Sequence, residues 1–191
     1  MQPSPLPPDS ATAQSSAWTA WLGNLKVLAI ALVIALTLRF WVAEPRFIPS
    51  SSMAPTLHIG DRLVVDKLSY HWRPPQRGDI VVFHPPGQLV DLGYDGSQAF
   101  IKRIIGEPGE TLEVSHGQVL LNGQPLAEPY LLDPPRYETP ALTVPPGYLF
   151  VLGDNRNDSN DSHVWGLLPQ GNLIGRARFR FWPLNRLGSL A

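Results

Sequence analysis

The sequence contains no cysteine. That removes disulfides, thiolate metal sites and a cysteine nucleophile together. Excess charge of either sign is missing too. Fifteen Lys and Arg stand against 16 Asp and Glu, for a formal net charge of −1. Nothing in that balance draws the chain toward nucleic acid. No internal repeat and no long run of like charge is present. Lysine is scarce: Lys26, Lys67 and Lys102 are the only three. The five histidines, His58, His71, His84, His116 and His163, show no ligand spacing, so neither a metal nor another cofactor is expected.

What is abundant is proline, with 21 residues. A chain so interrupted does not build a helix bundle; it fits strands joined by stiff loops. Residues 1–21 are mostly Pro, Ser, Ala, Gln and Thr and read as a disordered tail. Val27 to Leu38 is apolar except for Thr37. Widened to residues 22–43, this stretch reaches the roughly 20 residues of a membrane span. Trp18, Trp21, Phe40 and Trp41 flank it as an aromatic belt does. A cleaved signal sequence is one rival reading, but cleavage after Ala43 would put Trp41 where a small residue is needed. A buried core helix is the other, but a helix apolar on all faces is unusual in so small a domain. Lys26 precedes the run and Arg39 and Arg46 close it, so charge alone does not orient the span.

Beyond residue 44 the hydrophobic period changes to two. Residues 62–68, 79–84, 100–105, 111–115, 118–121, 148–152 and 176–182 read as strands. Asn122-Gly123 is a tight hairpin signal. The stretches 85–99 and 124–147 read as loops, the second with seven prolines. Residues 44–191 are therefore expected to form a mostly β domain, a small sandwich or distorted barrel. In the last strand Arg176, Arg178 and Arg180 alternate with Ala177, Phe179 and Phe181, which reads as a cationic face over an apolar one. The plain reading is a solvated face over a core face; the sharper one is that the arginines meet anionic lipid headgroups.

Two segments carry candidate chemistry. In Phe47–Leu57, FIPSSSMAPTL, three serines stand in a row. A serine hydroxyl attacks nothing at neutral pH without a base. A histidine is the usual base, but Asp161-Ser162-His163 is too local to converge as a triad. The loop 153–162, GDNRNDSNDS, fails the calcium-loop pattern, because Arg156 and His163 fall on positions reserved for a ligand and a glycine. By composition it is an Asx-rich turn. Lys102 lies in FIKRII and shares a strand face with Phe100 and Ile104, while Arg103 points to the other. A desolvated lysine loses its proton more readily and becomes a base. The other reading is a lysine whose stem covers an apolar face while its head reaches water. Periodicity does not choose between the two.

The segments PSSSMAPTL (49–57), GDRLVV (60–65), RGDIVVF (77–83), FIKRIIGEPGE (100–110) and GDNRNDSNDSHVWG (153–166) together resemble the type I signal peptidases. The resemblance runs from the apolar stretch to about Pro183. It implies a small antiparallel β domain, of the signal peptidase and LexA-like kind, on a single N-terminal transmembrane helix. It implies Ser52 as nucleophile and Lys102 as general base. Ser50 falls where a hydroxyl helps hold the oxyanion, and Ser159 where one orients the lysine. Ser51 falls on a variable position. Ile48, Met53, Leu57, Phe100 and Ile101 match positions lining shallow pockets for Ala-like side chains. Asp154, Arg156 and Asp161 match residues that brace the site.

The implied activity is membrane-bound removal of leader peptides from exported preproteins. The implied partners are preproteins and a lipid bilayer, plasma or thylakoid, with no nucleic acid and no metal. The N-terminus is expected in the cytoplasm and the β domain outside it. The alternative is an inactive, tethered β module that only binds leader sequences. Two departures touch the bracing loop. Residues 156–159 read Arg-Asn-Asp-Ser where the resembling pattern often reads Arg-Asp-Asn-Ser, and His163 stands where an arginine is often found.

Overall fold

The computed structural model describes residues 10–37 and 42–190. Helix α1 spans Ser10–Thr37. It begins inside the stretch expected as a disordered tail; residues 1–9 of that tail lie outside the described residues. Among the described residues no helix is long and apolar enough to cross a membrane. Residues 38–41 of the expected span also lie outside the described residues. Ala43, expected as its last residue, instead opens a strand. The chain divides into two compact units, the second beginning at Val42.

The second unit is built of antiparallel strands in two sheets. In chain order these are β1 (Ala43–Phe47), β2 (Arg62–Asp66), β3 (Ile80–Phe83), β4 (Phe100–Gly106), β5 (Thr111–Ser115) and β6 (Gln118–Leu121). There follow β7 (Gln124–Pro125), β8 (Thr139–Thr143), β9 (Tyr148–Leu152), β10 (Leu168–Pro169), β11 (Leu173–Trp182) and β12 (Gly188–Ser189). Three short helices interrupt them: α2 (Ser69–Trp72), α3 (Gly87–Asp91) and α4 (Ser162–Trp165). The large sheet runs β1-β2-β11-β3-β4-β9-β10, with β12 added against β11. The small sheet runs β7-β6-β5-β8.

The strand cores follow the sequence periodicity. β5 alternates intermediate and buried positions, as a strand covered on one face does. β3 lies inside the large sheet and is buried at every residue, which explains its unbroken apolar run. Asn122 and Gly123 both take positive φ, 51° and 78°, as the tight β6–β7 turn requires. His116 and Gly117 do the same between β5 and β6, at 52° and 75°. The proline-rich stretch 124–147 is not all loop: β7 and β8 lie within it and complete the small sheet. Neither has the alternation that marks a strand, and β8 is exposed along most of its length.

β11 departs from simple alternation. Its pairing with β2 jumps from Ala177 to Phe179 and again from Arg180 to Trp182. Each jump is a bulge that re-aims the side chains beyond it. Arg176, which precedes both jumps, lies beside Asp79, with Nε 3.0 Å from its carboxylate. Arg180 donates to the main-chain oxygens of Thr56 and Arg186. Arg176 and Arg180 are thus engaged by partners within the fold, and Arg178 is the exposed member of the three.

Three buried clusters hold the unit together. One gathers Val81, Phe83, Ile104, Val151 and Trp165, with Phe100 against it. The second gathers Ile48, Met53, Leu57, Leu63, Ile80 and Leu190, with Ile101 against it. The third joins the small sheet, through Leu112, Val114 and Val119, to Phe150 and Leu152 of β9.

Candidate active site

The serine segment connects β1 to β2. Its ends are pinned where Ile48 N donates to Asp61 O and Gly60 N donates to Ile48 O, both at 2.9 Å. Ile48, Met53 and Leu57 are buried and plug the segment into the second cluster. Between these plugs the chain turns, with Ala54 N donating to Ser51 O at 2.9 Å. Ser50 stays exposed, Ser51 is half-buried and Ser52 is buried. Ser50 Oγ and Ser52 Oγ lie 3.4 Å apart.

β4 brings Lys102 to this turn. Lys102 pairs in register with Val81 of β3, so its stem lies along the first cluster, as the alternation implies. Its Nζ donates to Ser52 Oγ at 2.8 Å and to Ile101 O at 3.0 Å. Lys102 is 4% exposed. Burial pushes its ammonium down from the ordinary 10.5 to about 8, against the opposing pull of the Asp161 and Asp154 carboxylates. The water-reaching lysine is thus not what the fold contains. A buried amine at hydrogen-bond distance from a serine hydroxyl can take that hydroxyl's proton when neutral.

The loop after β9 closes over both residues. Asn155 N donates to Ser52 O at 3.1 Å and Asn155 Nδ2 to Ser51 O at 3.3 Å. Gly153 packs so tightly against the Ser52 carbonyl and Ser159 that a Cβ there would collide with both. Only glycine permits that approach. Asp161 caps α4 by accepting from His163 N, and it also accepts from Gly153 N at 2.8 Å. His163 Nδ1 lies 2.7 Å from Asp161, and the imidazole stacks on Tyr137 with centroids 3.9 Å apart. His163 thus meets Asp161 where an arginine is often found.

A buried polar chain backs the loop. Arg103 Nε and Nη2 grip Asp154 at 2.8 and 2.7 Å. Thr56 Oγ1 donates to the same carboxylate. The Arg103 guanidinium lies 4.0 Å from the centroid of the Tyr130 ring. Tyr130 Oη donates to Glu128 at 2.6 Å. Arg156 forks onto Glu128 through both Nη atoms and donates from Nε to Gly153 O at 3.1 Å. Thr56, Arg103, Glu128 and Tyr130 escape sequence reasoning as site residues. Glu128 and Tyr130 sit in the proline-rich stretch with no motif around them, and Arg103 reads as the outer neighbour of Lys102.

The structure therefore brings Ser50, Ser52, Lys102, Asp154, Arg156 and Asp161 into one region. Ser159 lies there too, but its hydroxyl is buried without a hydrogen-bond partner rather than placed on Lys102. Ile48, Met53, Leu57 and Ile101 share a cluster, whereas Phe100 belongs to the neighbouring one. Asn157 and Asp158 have separate partners. Asn157 Oδ1 accepts from Arg136 N and Nδ2 donates to Pro134 O, while Asp158 accepts from Ser51 Oγ. Among the described residues no group of His, Asp and Glu is arranged to hold a metal ion.

Comparison with known proteins gives a consistent family. Residues 21–182 match the model of the family described as signal peptidase, peptidase S26. A probable signal peptidase I-1 of Synechocystis is 60% identical over 190 residues, covering 100% of this chain and 93% of that one. A signal peptidase I of Leptolyngbya laminosa is 51% identical, over 98% of this chain and 93% of that one. A probable chloroplastic thylakoidal processing peptidase 2 of Arabidopsis thaliana is 46% identical, over 87% of this chain and 46% of that one.

Proposed function

The chain belongs to the signal peptidase family, peptidase S26, and is an enzyme that removes leader peptides; from that premise we propose that Ser52 is its nucleophile and neutral Lys102 its general base. The observation that carries this reading is the 2.8 Å contact between a buried Lys102 Nζ and Ser52 Oγ. The amine has no carboxylate partner at hydrogen-bond distance among the described residues, so burial favours its uncharged form. The neutral nitrogen takes the proton as Ser52 Oγ attacks the scissile carbonyl. The resulting oxyanion is met by the Ser50 hydroxyl, an interaction of the kind worth about 3–4 kcal/mol. Lys102 then returns the proton to the leaving nitrogen, and the mature protein departs as a free amine. Water attacks the acyl-Ser52 with Lys102 again as base, and the leader is released as a carboxylate. Ser159, against Gly153 beside the serine turn, has a hydroxyl free to hold the neutral amine. Asp154, Arg156 and Asp161 keep the 153–161 loop in place.

The substrate is a preprotein with small residues before the cut, read by the half-buried Phe100 and Ile101, while Ile48, Met53 and Leu57 back the serine turn from the core. The apolar stretch from residue 22 up to the start of the β unit tethers the enzyme to the plasma or thylakoid membrane, N-terminus in the cytoplasm and β domain outside. The exposed Val27, Leu28, Ile30, Leu32, Val33 and Ile34 support the tether, since so much continuous apolar surface favours a lipid environment. The test is to incubate the full chain with a preprotein and to sequence the product's N-terminus. Cleavage after an Ala-x-Ala-like site is expected, and Ser52→Ala and Lys102→Met should each lower kcat on the order of 10⁴-fold or more. Near-native turnover by either variant defeats the proposed pair.

A further inference from the structure

The middle serine of the three has a role that neither the nucleophile nor the oxyanion donor accounts for. Ser51 Oγ donates to Asp158 Oδ2 at 2.6 Å, across 107 residues of chain. That length belongs to a charge-assisted O–H···O⁻ bond. Asp158 ends a 3-10 turn, Arg156–Asp158, whose first residue is fully buried on Glu128 and whose amide Asp158 N donates to Asn155 O at 3.1 Å. Its carboxylate is therefore presented from an anchored turn and not from a free loop.

Asn157 fixes the other side of the same turn. Its amide donates to Pro134 O at 3.0 Å and accepts from Arg136 N at 2.8 Å. That position uses a donor and an acceptor at once, which an aspartate does not supply. The position after it meets only a hydroxyl, which a carboxylate holds best. The order Asn157-Asp158 thus follows from what each side chain touches.

The bond also matters for what it withholds. Ser51 is flanked by Ser50 and Ser52, whose hydroxyls lie 3.4 Å apart beside Lys102. An uncommitted third hydroxyl on this turn would rotate among staggered positions and compete as donor or acceptor. Asp158 engages it on the opposite loop. With the Asn155 bonds to the Ser51 and Ser52 carbonyls, it makes a three-point clamp of side chain and backbone.

We propose that Asp158 is a positioning residue that acts through the Ser51 hydroxyl to hold the Ser50–Ser52 pair in its reactive orientation. The inference rests on Ser52 being the nucleophile. It is tested by kinetics of the full chain on a preprotein, with Ser51→Ala, Asp158→Ala, the double variant and Asp158→Asn, and with Ser52→Ala alongside. Each single variant should lower kcat about five- to tenfold with KM and Tm unchanged. The double variant should be no slower than either single one, because both remove the same bond. Asp158→Asn keeps an acceptor and should recover most of the loss. Unchanged kcat in the single variants overturns the proposal. So does a double variant whose loss is the product of the two, or a fall in Tm that accounts for the loss. An active Ser52→Ala would instead defeat the assignment of the nucleophile, a different result read in the same experiment.

Discussion

Lys102 and Arg103 are consecutive on β4, each 4% exposed, yet the two faces of the strand treat them in opposite ways. Arg103 meets a carboxylate with a forked grip, a carbonyl and an aromatic ring. Lys102 meets a hydroxyl and a carbonyl, both uncharged. A guanidinium keeps its charge in a protein, so it must be compensated where it is buried. An ammonium can escape the cost of burial by releasing its proton. Equal burial thus yields a fixed strut on one face and, on the other, an amine suited to the proposed role of base. The deciding feature is whether a carboxylate lies within hydrogen-bond reach.

The strongest way to break the comparison is to remove the strut. Arg103→Ala strands Asp154 as a buried, unpaired carboxylate, although Thr56 still donates to it. Breaking a buried pair in this way costs about 3–5 kcal/mol. A denaturant titration should show the loss, and a change below 1 kcal/mol would mean that Arg103 is not structural. The smaller expected effect has the opposite sign. Lys102→Met fills the same space without a charge and should stabilise the fold while ending catalysis.

The pH window for that gain follows from the lysine's shift to about 8 from 10.5. Between these values the unfolded chain holds a proton that the folded chain has released. Stability of the parent therefore rises with pH across the window, and the burial cost is complete below about 8. The shift sets an upper bound of about 3 kcal/mol on the gain from Lys102→Met at pH 7. Burial also pushes the phenols of Tyr70, Tyr130 and Tyr137 up, which opposes folding near and above pH 10 as the unfolded chain ionises. Subtracting the variant's stability curve from the parent's removes their contribution. A difference curve that is flat from pH 7 to 10 would show that Lys102 is not desolvated.

The strands were legible where one face is buried, since alternation records that burial. β5, β6 and β9 fall on the residues that periodicity picks out. β7 and β8 were not legible, because a mostly exposed strand rich in proline carries no apolar alternation. The bulges of β11 were hidden for a related reason: its letters alternate from Arg176 to Phe181, and the period breaks only in the pairing with β2 and β3. In the site, Lys102 stood out because a cation on an apolar face is a local contradiction. Arg103 did not, because its partner Asp154 is 51 residues away and nothing local announces it. The Glu128–Arg156 pair was invisible likewise, a contact made only by the folded loop.

The finest adjustment of the comparison is to the distant charges that Lys102 feels. Asp161 is fully buried and pulls the lysine's pKa upward, against the larger effect of burial. Asp161→Asn removes that pull while keeping an oxygen to accept from Gly153 N, so the loop retains its main bond. The alkaline rise in kcat/KM, expected near the parent's pKa of about 8, should then move to lower pH. Asp158→Asn is the matched control. It changes a carboxylate of the same loop, but an exposed one that holds Ser51 and is not among the charges that shift Lys102. It should leave the midpoint where it is, whatever it does to kcat. A midpoint that stays fixed in Asp161→Asn would mean that Asp161 does not set the base, and one that moves alkaline would contradict the direction of its pull. Movement in both variants would point to the net charge of the loop in place of the buried carboxylate. Movement in Asp161→Asn alone ties the working pH of the enzyme to one carboxylate that supports the lysine without touching it.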